Sequence, residues 1–431
     1  MTKAPRIAVL SFPGNNCEVE SLRAVKQAGM EAVFFKWNDS KEKLKDIDGY
    51  FVPGGFSYED RGRSGMVAAR DPLLAFLHDE NERGKVIIGN CNGAQILVES
   101  GLIPLDQGLR MSLARNAIGE EAVGFINEWV WITPTCKRDR CATSDWEGTT
   151  GGERSRTMHL PIAHGEGRFT TKDKDVWEEF KKNDQVAFSY CNAEGKVSDD
   201  PVTTPNGSEF AIAGICNPCG NVVALMPHPE RTPNGAPYFA SMKRWIQRRK
   251  GISASPPNPL SVPTQHQPER GSAAWNIPVR PPRETEIFIG TIITNNEERT
   301  VEQAAHRSVP SLKLTQLKYV APKNAKSEEL LSRLSFFNPN KETAVVRQGG
   351  SFYRWNSDEK KLQKTDVSPL SGATALLRRD EPDTWGAALG QGSETGVCYI
   401  CRGVSEQELL KREVLEVFAN PHASTLERLT P

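Results

Sequence analysis

The sequence predicts an α/β protein with a doubly wound, mostly parallel sheet, followed by a smaller α+β domain at the C-terminal end. Short β-branched runs alternate with helical stretches over residues 1–250. A proline-rich segment follows at 251–283, and regular patterns resume at 284–431. Strands that alternate with helices are typical of a parallel sheet covered by helices on both faces.

The elements of the first part follow in a regular order. RIAVL (6–10) predicts a strand, and EVESLRAVKQAG (18–29) predicts a helix that ends at Gly29. Further strands are predicted at EAVFFKW (31–37), DGYFVPGG (48–55), KVIIGN (85–90) and NVVALMPHPER (221–231), and further helices at DPLLAFLHDENERG (71–84) and NGAQILVESG (92–101). In an open parallel sheet, ligands bind at the carboxyl ends of the strands, so we expect the functional residues directly after these strands.

Composition and charge exclude several classes of protein. Lys+Arg and Asp+Glu both number 54 in 431 residues, so the formal net charge is zero. This argues against a protein built to coat nucleic acid or an anionic membrane. No apolar run approaches the roughly 18 residues of a membrane helix, and we find no signal-like start. The predicted location is therefore the cytoplasm.

The nine cysteines are scattered and odd in number, which fits reduced thiols better than a disulfide framework. CNPC at 216–219 resembles a zinc knuckle, and Cys136 and Cys141 could complete its ligands, although we expect no bound metal. CYIC at 398–401 lies in a predicted strand, where packing is the favoured role.

A strand, the turn GNCNG (89–93) and a helix together form the pattern of a nucleophile elbow, with Cys91 as the nucleophile. Such a sharp turn leaves no room for side chains two residues before and two residues after the nucleophile. Gly89 and Gly93 occupy these positions and have none. The start of the helix at Asn92 places a partial positive charge near the sulfur, which favours the thiolate. Taken alone, a buried cysteine before a helix is an alternative interpretation.

Two other stretches favour the catalytic interpretation. Gly54 and Gly55 follow a strand, so their backbone N–H groups could form an oxyanion hole together with that of Asn92. The last predicted strand ends in His228-Pro229-Glu230, where the imidazole could accept the thiol proton and the carboxylate could fix its tautomer. A purely structural histidine is the alternative.

These residues lie in motifs that resemble the class I, or triad, glutamine amidotransferases, whose fold is flavodoxin-like. Within that family, the chain resembles the glutaminases of phosphoribosylformylglycinamidine synthase over about residues 5–245. The motifs are FPGNNCEVE (12–20), VPGGFSYEDRGRSG (52–65), GNCNGAQILVESGLIP (89–104), LPIAHGEGRF (160–169) and TPNGSEFAIAGICNPCGNVVALMPHPER (204–231).

The resemblance implies the chemistry and the partners. Cys91, His228 and Glu230 would form the catalytic triad that hydrolyses L-glutamine through a thioester. The predicted oxyanion-hole and substrate-binding residues are Gly54, Gly55, Phe56, Asn92 and Gln95. Ammonia would pass to the large synthetase subunit of the synthase in purine biosynthesis. We expect no cofactor in this chain, with ATP and magnesium in the partner, since no P-loop motif occurs here.

The sequence departs from the family pattern at several places. Glu59 and Arg61 follow FSY where the family usually has a glycine and a bulky residue, so the surface toward the partner is expected to differ. The segment 133–157 is longer and more polar than the fold needs. We expect it to be either a disordered loop or an interaction element. We interpret His164 and Glu166 as parts of the wall near the glutamine pocket or partner surface, not as a metal pair.

The C-terminal region contains a weak tandem repeat. Two βαβαβ passes, at about 284–347 and 372–431, each end a helix near Asn-Pro, at Asn338-Pro339 and Asn420-Pro421. The spacing of the predicted elements and the Asn-Pro pairs faintly resemble those of PurS, the small component of the same synthase. This resemblance implies a docking role carried within the same chain. An unrelated accessory module and chance similarity are the alternatives.

Two other functions stay open from the sequence. The chain could be an inactive scaffold for assembly, which the intact Cys91, His228 and Glu230 oppose. It could also be a glutaminase of the same class that serves a different synthetase, which the purine-branch motifs oppose.

Overall fold

The protein is described here by a computed structural model, which describes residues 3–146, 156–251, 275, 277–390 and 392–430. The chain divides into two compact units, one made of Met1–Ile118 and Val123–Gly271, the other of Gly119–Ala122 and Ser272–Pro431. Most of the predicted linker at 251–283 lies outside the described residues. In its last part, Val279–Arg280 forms a short strand of the second unit, where Arg280 is buried.

The elements of the first unit follow the predicted alternation up to residue 99. Its strands are β1 (Arg6–Ser11), β2 (Glu31–Lys36), β3 (Gly49–Val52), β4 (Val86–Asn90), β5 (Ser112–Arg115), β6 (Ala117–Ile118), β8 (Ile126–Pro134), β9 (Met158–His164), β10 (Glu166–Thr170), β11 (Val186–Cys191), β12 (Ile212–Cys216) and β13 (Val222–Leu225), while β7 (Glu121–Ala122) lies in the stretch assigned to the second unit. Its helices are α1 (Glu18–Gln27), α2 (Pro72–Glu82), α3 (Asn92–Glu99), α4 (Lys174–Asn183) and α5 (Ala236–Gly251).

Nine strands form one sheet in the order β2-β1-β3-β4-β13-β12-β11-β8-β9. The half from β2 to β13 is parallel, as predicted, whereas β12, β11, β8 and β9 continue the sheet in antiparallel pairs. The parallel half therefore contains every strand after which a functional residue was predicted.

Both faces of the parallel half are covered, because successive strand residues belong to two different cores. Ile7 and Val9 pack with apolar residues of α1 and α5. Ala8 and Leu10 pack with apolar residues of α2 and α3. Burial on both faces explains the continuous apolar runs of these strands.

The polar stretch at 133–157 is only partly a loop. Residues 133–134 end β8, and Cys141 and Trp146 are buried in the first core. Residues 147–155 lie outside the described residues, so the predicted loop or interaction element concerns a segment that the structure does not describe.

The second unit is an α+β domain built on one sheet. Its strands are β14 (Val279–Arg280), β15 (Thr285–Thr291), β16 (Lys313–Ala321), β17 (Glu342–Gln348), β18 (Ser351–Asn356), β19 (Lys361–Thr365), β20 (Thr374–Asp380), β21 (Glu394–Arg402) and β22 (Ser424–Leu429). Its helices are α6 (Asn296–Ala305), α7 (Ser327–Leu331), α8 (Thr384–Leu389), α9 (Glu406–Leu409) and α10 (Arg412–Phe418).

The second sheet has the order β14-β22-β20-β21-β16-β15-β17-β18-β19. The pass β15-α6-β16-α7-β17 and the pass from β20 to β22 have the same strand arrangement, since the first strand of each lies between the other two. The second strand of each pass in chain order, β16 in one and β21 in the other, lies at its edge. These two strands pair antiparallel and join the passes. The two passes therefore share one strand order, which was not predicted from the sequence. Across the part of the chain that the structure describes, helices long and apolar enough to cross a bilayer are absent.

Candidate active site

Cys91 lies in the sharp turn that the GNCNG pattern predicts, between β4 and α3. Its backbone has φ 51° and ψ −110°, which is a strained conformation for a residue with a side chain. A Cβ atom added at Gly89 would lie 2.5 Å from the carbonyl oxygen of Gly93, and one at Gly93 would lie 1.9 Å from that of Val52. Both positions must therefore be glycine if β3, β4 and α3 are to meet this closely.

The pairing of β13 with β4 brings the predicted base to the same edge of the sheet. Leu225 lies opposite Asn90 in the parallel register, so the segments after both strands emerge side by side. The backbone N–H of His228 donates to the carbonyl of Pro161 at 2.9 Å, which fixes the base against β9.

His228 and Glu230 form a buried pair with a defined orientation. Nδ1 of His228 lies 2.6 Å from Oε1 of Glu230. The other oxygen of Glu230 accepts a hydrogen bond from Nδ2 of Asn90 at 2.9 Å. The hydroxyl of Tyr238 donates to Oδ1 of Asn90 at 3.2 Å, so the amide that holds Glu230 is itself fixed.

The electrostatics of this pair favour an imidazolium. Burial opposes the charge on His228, but the neighbouring Cys91 and Glu230 outweigh it and raise the pKa of His228 well above its usual value. Burial likewise opposes the charge on Glu230, yet His228 keeps the pKa of Glu230 below its usual value. The ionised carboxylate can only accept, so Nδ1–H of His228 donates to it.

The thiol and the imidazole are close, without a direct hydrogen bond in this conformation. The thiol of Cys91 donates to the carbonyl of Ala163 at 3.6 Å. Nε2 of His228 is buried and has no hydrogen-bond partner among the described residues. Catalytic hydrogen bonds are often long before substrate binds, and Nε2 has no other partner in the described part of the chain that would compete with the Cys91 sulfur for the proton the two groups exchange.

The predicted glycine turn lies directly against the base. A Cβ atom at Gly54 would be 2.7 Å from Cε1 of His228, and one at Gly55 would be 2.6 Å from Cα of Asn15. Gly55 has φ 136°, a conformation that residues with side chains rarely adopt. The ring of Phe56 is 42% exposed and stacks on Phe125, with centroids 6.4 Å apart. The turn therefore places backbone next to the base and an aromatic ring at the surface.

Asn92 and Gln95 use their side chains to join three segments. The backbone N–H of Ser57 donates to Oδ1 of Asn92 at 3.1 Å, and Nδ2 of Asn92 donates to Oε1 of Gln95 at 2.9 Å. Nε2 of Gln95 in turn donates to the carbonyl of Glu166. In this conformation, the predicted substrate-binding amide of Gln95 thus ties α3 to β10.

His164 and Glu166 lie close to these residues, while their predicted place beside the glutamine pocket or the partner surface stays a prediction. His164 is buried next to Ala163, and burial, with a smaller effect of His228, lowers the pKa of His164 to about 3. It is therefore neutral at physiological pH. Oε2 of Glu166 accepts from the backbone N–H of Ser64 at 2.9 Å.

Cys17 lies in this site but was not predicted as a site residue, although it belongs to the motif FPGNNCEVE (12–20). Cys17 is fully buried, and its sulfur accepts a hydrogen bond from Nη2 of Arg231 at 3.0 Å. It directly precedes α1, in the segment that follows the carboxyl end of β1. The rule that sites gather at this edge could have found it.

Within the described residues, one group of three potential metal ligands converges, and it does not include the cysteines that the sequence offered as possible zinc ligands. The ligand atoms of Cys17, His228 and Glu230 all lie within 4.8 Å of one another. Cys136, Cys141 and Cys216 belong instead to the first hydrophobic core.

Comparison with known proteins agrees with this geometry. Residues 4–253 match the model of the CobB/CobQ-like glutamine amidotransferase domain. The chain is 42% identical over 265 residues to the phosphoribosylformylglycinamidine synthase subunit PurQ of Methanothrix thermoacetophila, covering 57% of this chain and 99% of that protein. It is 38% identical over 226 residues to the PurQ subunit of Thermomicrobium roseum, covering 52% of this chain and 87% of that protein.

Among solved structures, a chain of the PurLQS structure from Thermotoga maritima is similar. It shares 32% sequence identity with a TM-score of 0.44, over 56% of this chain and 99% of that chain. The family match ends at residue 253, before β14 of the second unit begins. Because the family model covers more than half of this chain and two PurQ subunits at 38% and 42% identity are matched over most of their length, the chain belongs to the CobB/CobQ-like glutamine amidotransferase family and, within it, to the PurQ subunits of phosphoribosylformylglycinamidine synthase.

Proposed function

We propose that this chain hydrolyses L-glutamine to glutamate and ammonia through a thioester on Cys91. The observation that carries the proposal is the buried trio at one edge of the sheet. Cys91 occupies a strained turn next to His228, and Nδ1 of His228 lies 2.6 Å from a carboxylate oxygen of Glu230. A thiol, a base and a group that orients the base are the parts that nucleophilic acyl transfer requires.

The first half of the reaction forms the thioester. His228 takes the proton of Cys91 at Nε2, and the sulfur attacks the side-chain amide carbon of glutamine. The oxyanion that develops is stabilised by backbone N–H groups from the Gly54-Gly55 turn and from Asn92 at the start of α3. The imidazolium then protonates the leaving nitrogen, and ammonia departs.

The second half regenerates the enzyme. Water attacks the thioester carbon while Nε2 of His228 accepts a proton, and the sulfur of Cys91 leaves as glutamate is released. Glu230 does not move a proton in either half, because its oxygens hold Nδ1–H of His228 and Nδ2 of Asn90. Its contribution is to fix the ring and to stabilise the imidazolium.

Phe56 and Gln95 are the side chains proposed to contact glutamine. Phe56 follows the glycine turn and presents a half-exposed ring, which is suited to cover the aliphatic part of a bound side chain. Gln95 lies one turn into α3 from Cys91, so its amide can exchange a present partner for the substrate.

The partner proposed for the ammonia is the large synthetase subunit of phosphoribosylformylglycinamidine synthase, in de novo purine biosynthesis. The similar proteins from M. thermoacetophila and T. roseum are named as PurQ subunits of that synthase. ATP and magnesium would then belong to the synthetase.

For the second unit, we propose a PurS-like docking role carried in the same chain. Its support is the repeated order of β15-α6-β16-α7-β17 and the pass from β20 to β22, with β16 paired to β21 at the centre. Two such passes fused through their middle strands form one continuous sheet, which is suited to bridging rather than to chemistry.

The proposal is tested by assaying the full chain with a large synthetase subunit. Wild type should support amidine formation from either glutamine or ammonium. Cys91→Ser should abolish the glutamine-dependent reaction and leave the ammonium-dependent one intact, because external ammonia bypasses the thioester. Loss of both reactions would point to an assembly defect, and retention of the glutamine reaction would contradict the role of Cys91.

A further inference from the structure

Cys17 is a buried thiol beside the base that the proposed reaction does not use. None of the steps above transfers a proton or an acyl group to it. Yet its sulfur shares the small volume between α1, the Gly54 turn and His228. A Cβ atom at Gly54 would lie 3.2 Å from this sulfur and 2.7 Å from Cε1 of His228, so the glycine leaves the space between the two side chains open.

The three side chains around that space have the donor atoms that zinc prefers. Cys17 offers sulfur, His228 nitrogen and Glu230 oxygen, and all three residues are buried. Zinc bonds of about 2.0–2.3 Å place neighbouring donor atoms roughly 3–4 Å apart. The observed donors lie within 4.8 Å of one another, which is close to the spacing that one zinc ion needs.

The sulfur of Cys17 has two polar contacts besides the base. Its thiol donates to Oδ1 of Asn16 at 3.3 Å, and the guanidinium of Arg231 donates to the sulfur at 3.0 Å. Zinc binds cysteine as the thiolate, so the proton now shared with Asn16 would leave when the ion binds.

We propose that Cys17, His228 and Glu230 form a regulatory zinc site whose occupation switches the glutaminase off. The inference rests on the proposed function, because the ion would use the base of that reaction. At Nε2 of His228, zinc would occupy the lone pair that must accept the Cys91 proton. At Nδ1, it would replace the bond to Glu230 that orients the ring. Either position removes the base.

Binding requires no oxidant or reductant. Zinc displaces the proton of the Cys17 thiol, together with one proton from the imidazolium, and both protons pass to solvent. Three protein ligands leave a fourth position, which water would fill. Removal of zinc by a chelator should therefore restore the base and the activity.

The experiment measures zinc binding and glutaminase activity separately on the full-length chain. Metal-free protein is titrated with ZnCl₂ against a chromophoric chelator, for wild type, Cys17→Ser and Cys219→Ser. Cys219 is the matched control, since it lies in the turn at the opposite end of β13 from His228. Glutamine hydrolysis is followed at the same free zinc concentrations, relative to the metal-free rate of each variant.

We expect one zinc ion per wild-type chain, with inhibition that follows its binding. Mutation of residues that only hydrogen-bond to metal ligands typically lowers metal affinity about 10–100-fold. Cys17→Ser removes a ligand itself, so it should lower the affinity for zinc by at least that factor. Cys219→Ser should bind as wild type does. Absence of binding, equal binding by Cys17→Ser and wild type, or binding without inhibition would overturn the proposal.

A spectroscopic measurement on wild type guards against a variant that does not fold. Co²⁺ bound in place of zinc should give a sulfur-to-cobalt charge-transfer band, and its absence would contradict a thiolate ligand. The two proposals also fail separately. A chain that binds zinc through Cys17 but does not hydrolyse glutamine contradicts the glutaminase, whereas one that hydrolyses glutamine without binding zinc contradicts only the metal site.

Discussion

The two oxygens of Glu230 have different partners, and this explains how a buried carboxylate can orient a base. Oε1 accepts from His228 and Oε2 accepts from Asn90, so the group has little freedom to rotate. Burying a charge is costly unless it is paired and hydrogen-bonded. Here both conditions are met, because His228 keeps the pKa of Glu230 low despite burial.

Removing the base should lower the rate of glutamine hydrolysis more than removing the carboxylate that orients it. His228→Ala should lower the rate of glutamine hydrolysis by about 10²- to 10⁴-fold, the usual contribution of general base catalysis. Glu230→Gln should cost less, since Nε2 of His228 remains in place while the charge is lost. Steady-state kinetics on both variants checks this order. Near wild-type rates in both would mean that the His-Pro-Glu segment is structural.

At this scale, the sequence predicts residues whose position depends on a short local pattern. Cys91 follows β4 directly, and His228 and Glu230 lie within five residues of the end of β13, so the pairing of the two strands brings them to one edge. Cys17 and Asn90 were not predicted as site residues. Asn90 ends an apolar strand, and its partner Glu230 is 140 residues away, so only the β4–β13 register reveals the contact.

At the scale of elements, the elbow depends on how closely α3 approaches β3. Gly93 is the second residue of α3, and the space for its missing side chain is occupied by the backbone carbonyl of Val52. A side chain can rotate away from a new methyl group, but the backbone of a central strand cannot. The position of Cys91 is therefore fixed by the sheet.

Gly93→Ala tests this packing. Helix propensity alone would stabilise the variant by up to about 1 kcal/mol. We expect a net loss of about 1–3 kcal/mol instead, the typical cost of overpacking, together with loss of glutamine hydrolysis. Thermal unfolding measures the loss. Gly165→Ala is the control for stability, because the nearest atom to its Cβ would be 3.9 Å away. Equal unfolding temperatures for Gly93→Ala and wild type would contradict the close approach.

The parallel half of the sheet was predictable, and the antiparallel half was not. β1, β3 and β4 are buried along their whole length or nearly so, which gives the continuous apolar runs that the sequence displays. β8, in contrast, has three consecutive exposed residues, Asn127–Trp129, which interrupt the alternation of buried and less buried positions. Its place between β11 and β9 comes from tertiary pairing that a local pattern does not encode.

At the scale of the whole molecule, the chain combines a catalytic unit with a second unit that the family match does not cover. Each unit has its own buried core, which is the property expected of a domain that folds by itself. A tethered docking unit would raise the effective concentration of the catalytic unit at the synthetase.

Deleting residues 284–431 should therefore weaken assembly without removing the chemistry. We expect the remaining protein to keep a reactive Cys91 and to bind the large synthetase subunit about 10²- to 10⁴-fold more weakly. Surface plasmon resonance measures the affinity, with the full-length chain as the control. Equal affinity and equal coupled activity for the truncated and full-length chains would contradict the docking role.

The most direct test of the central claim is stoichiometric labelling of the full-length chain with a glutamine-mimicking electrophile, read by peptide mass spectrometry. If His228 and Glu230 activate Cys91 for attack on glutamine, one label per chain should appear on Cys91. Glutamine should protect against it, and Cys91→Ser should abolish it. Label spread over several of the nine cysteines, or placed on Cys17 while Cys91 stays unmodified, would contradict the claim.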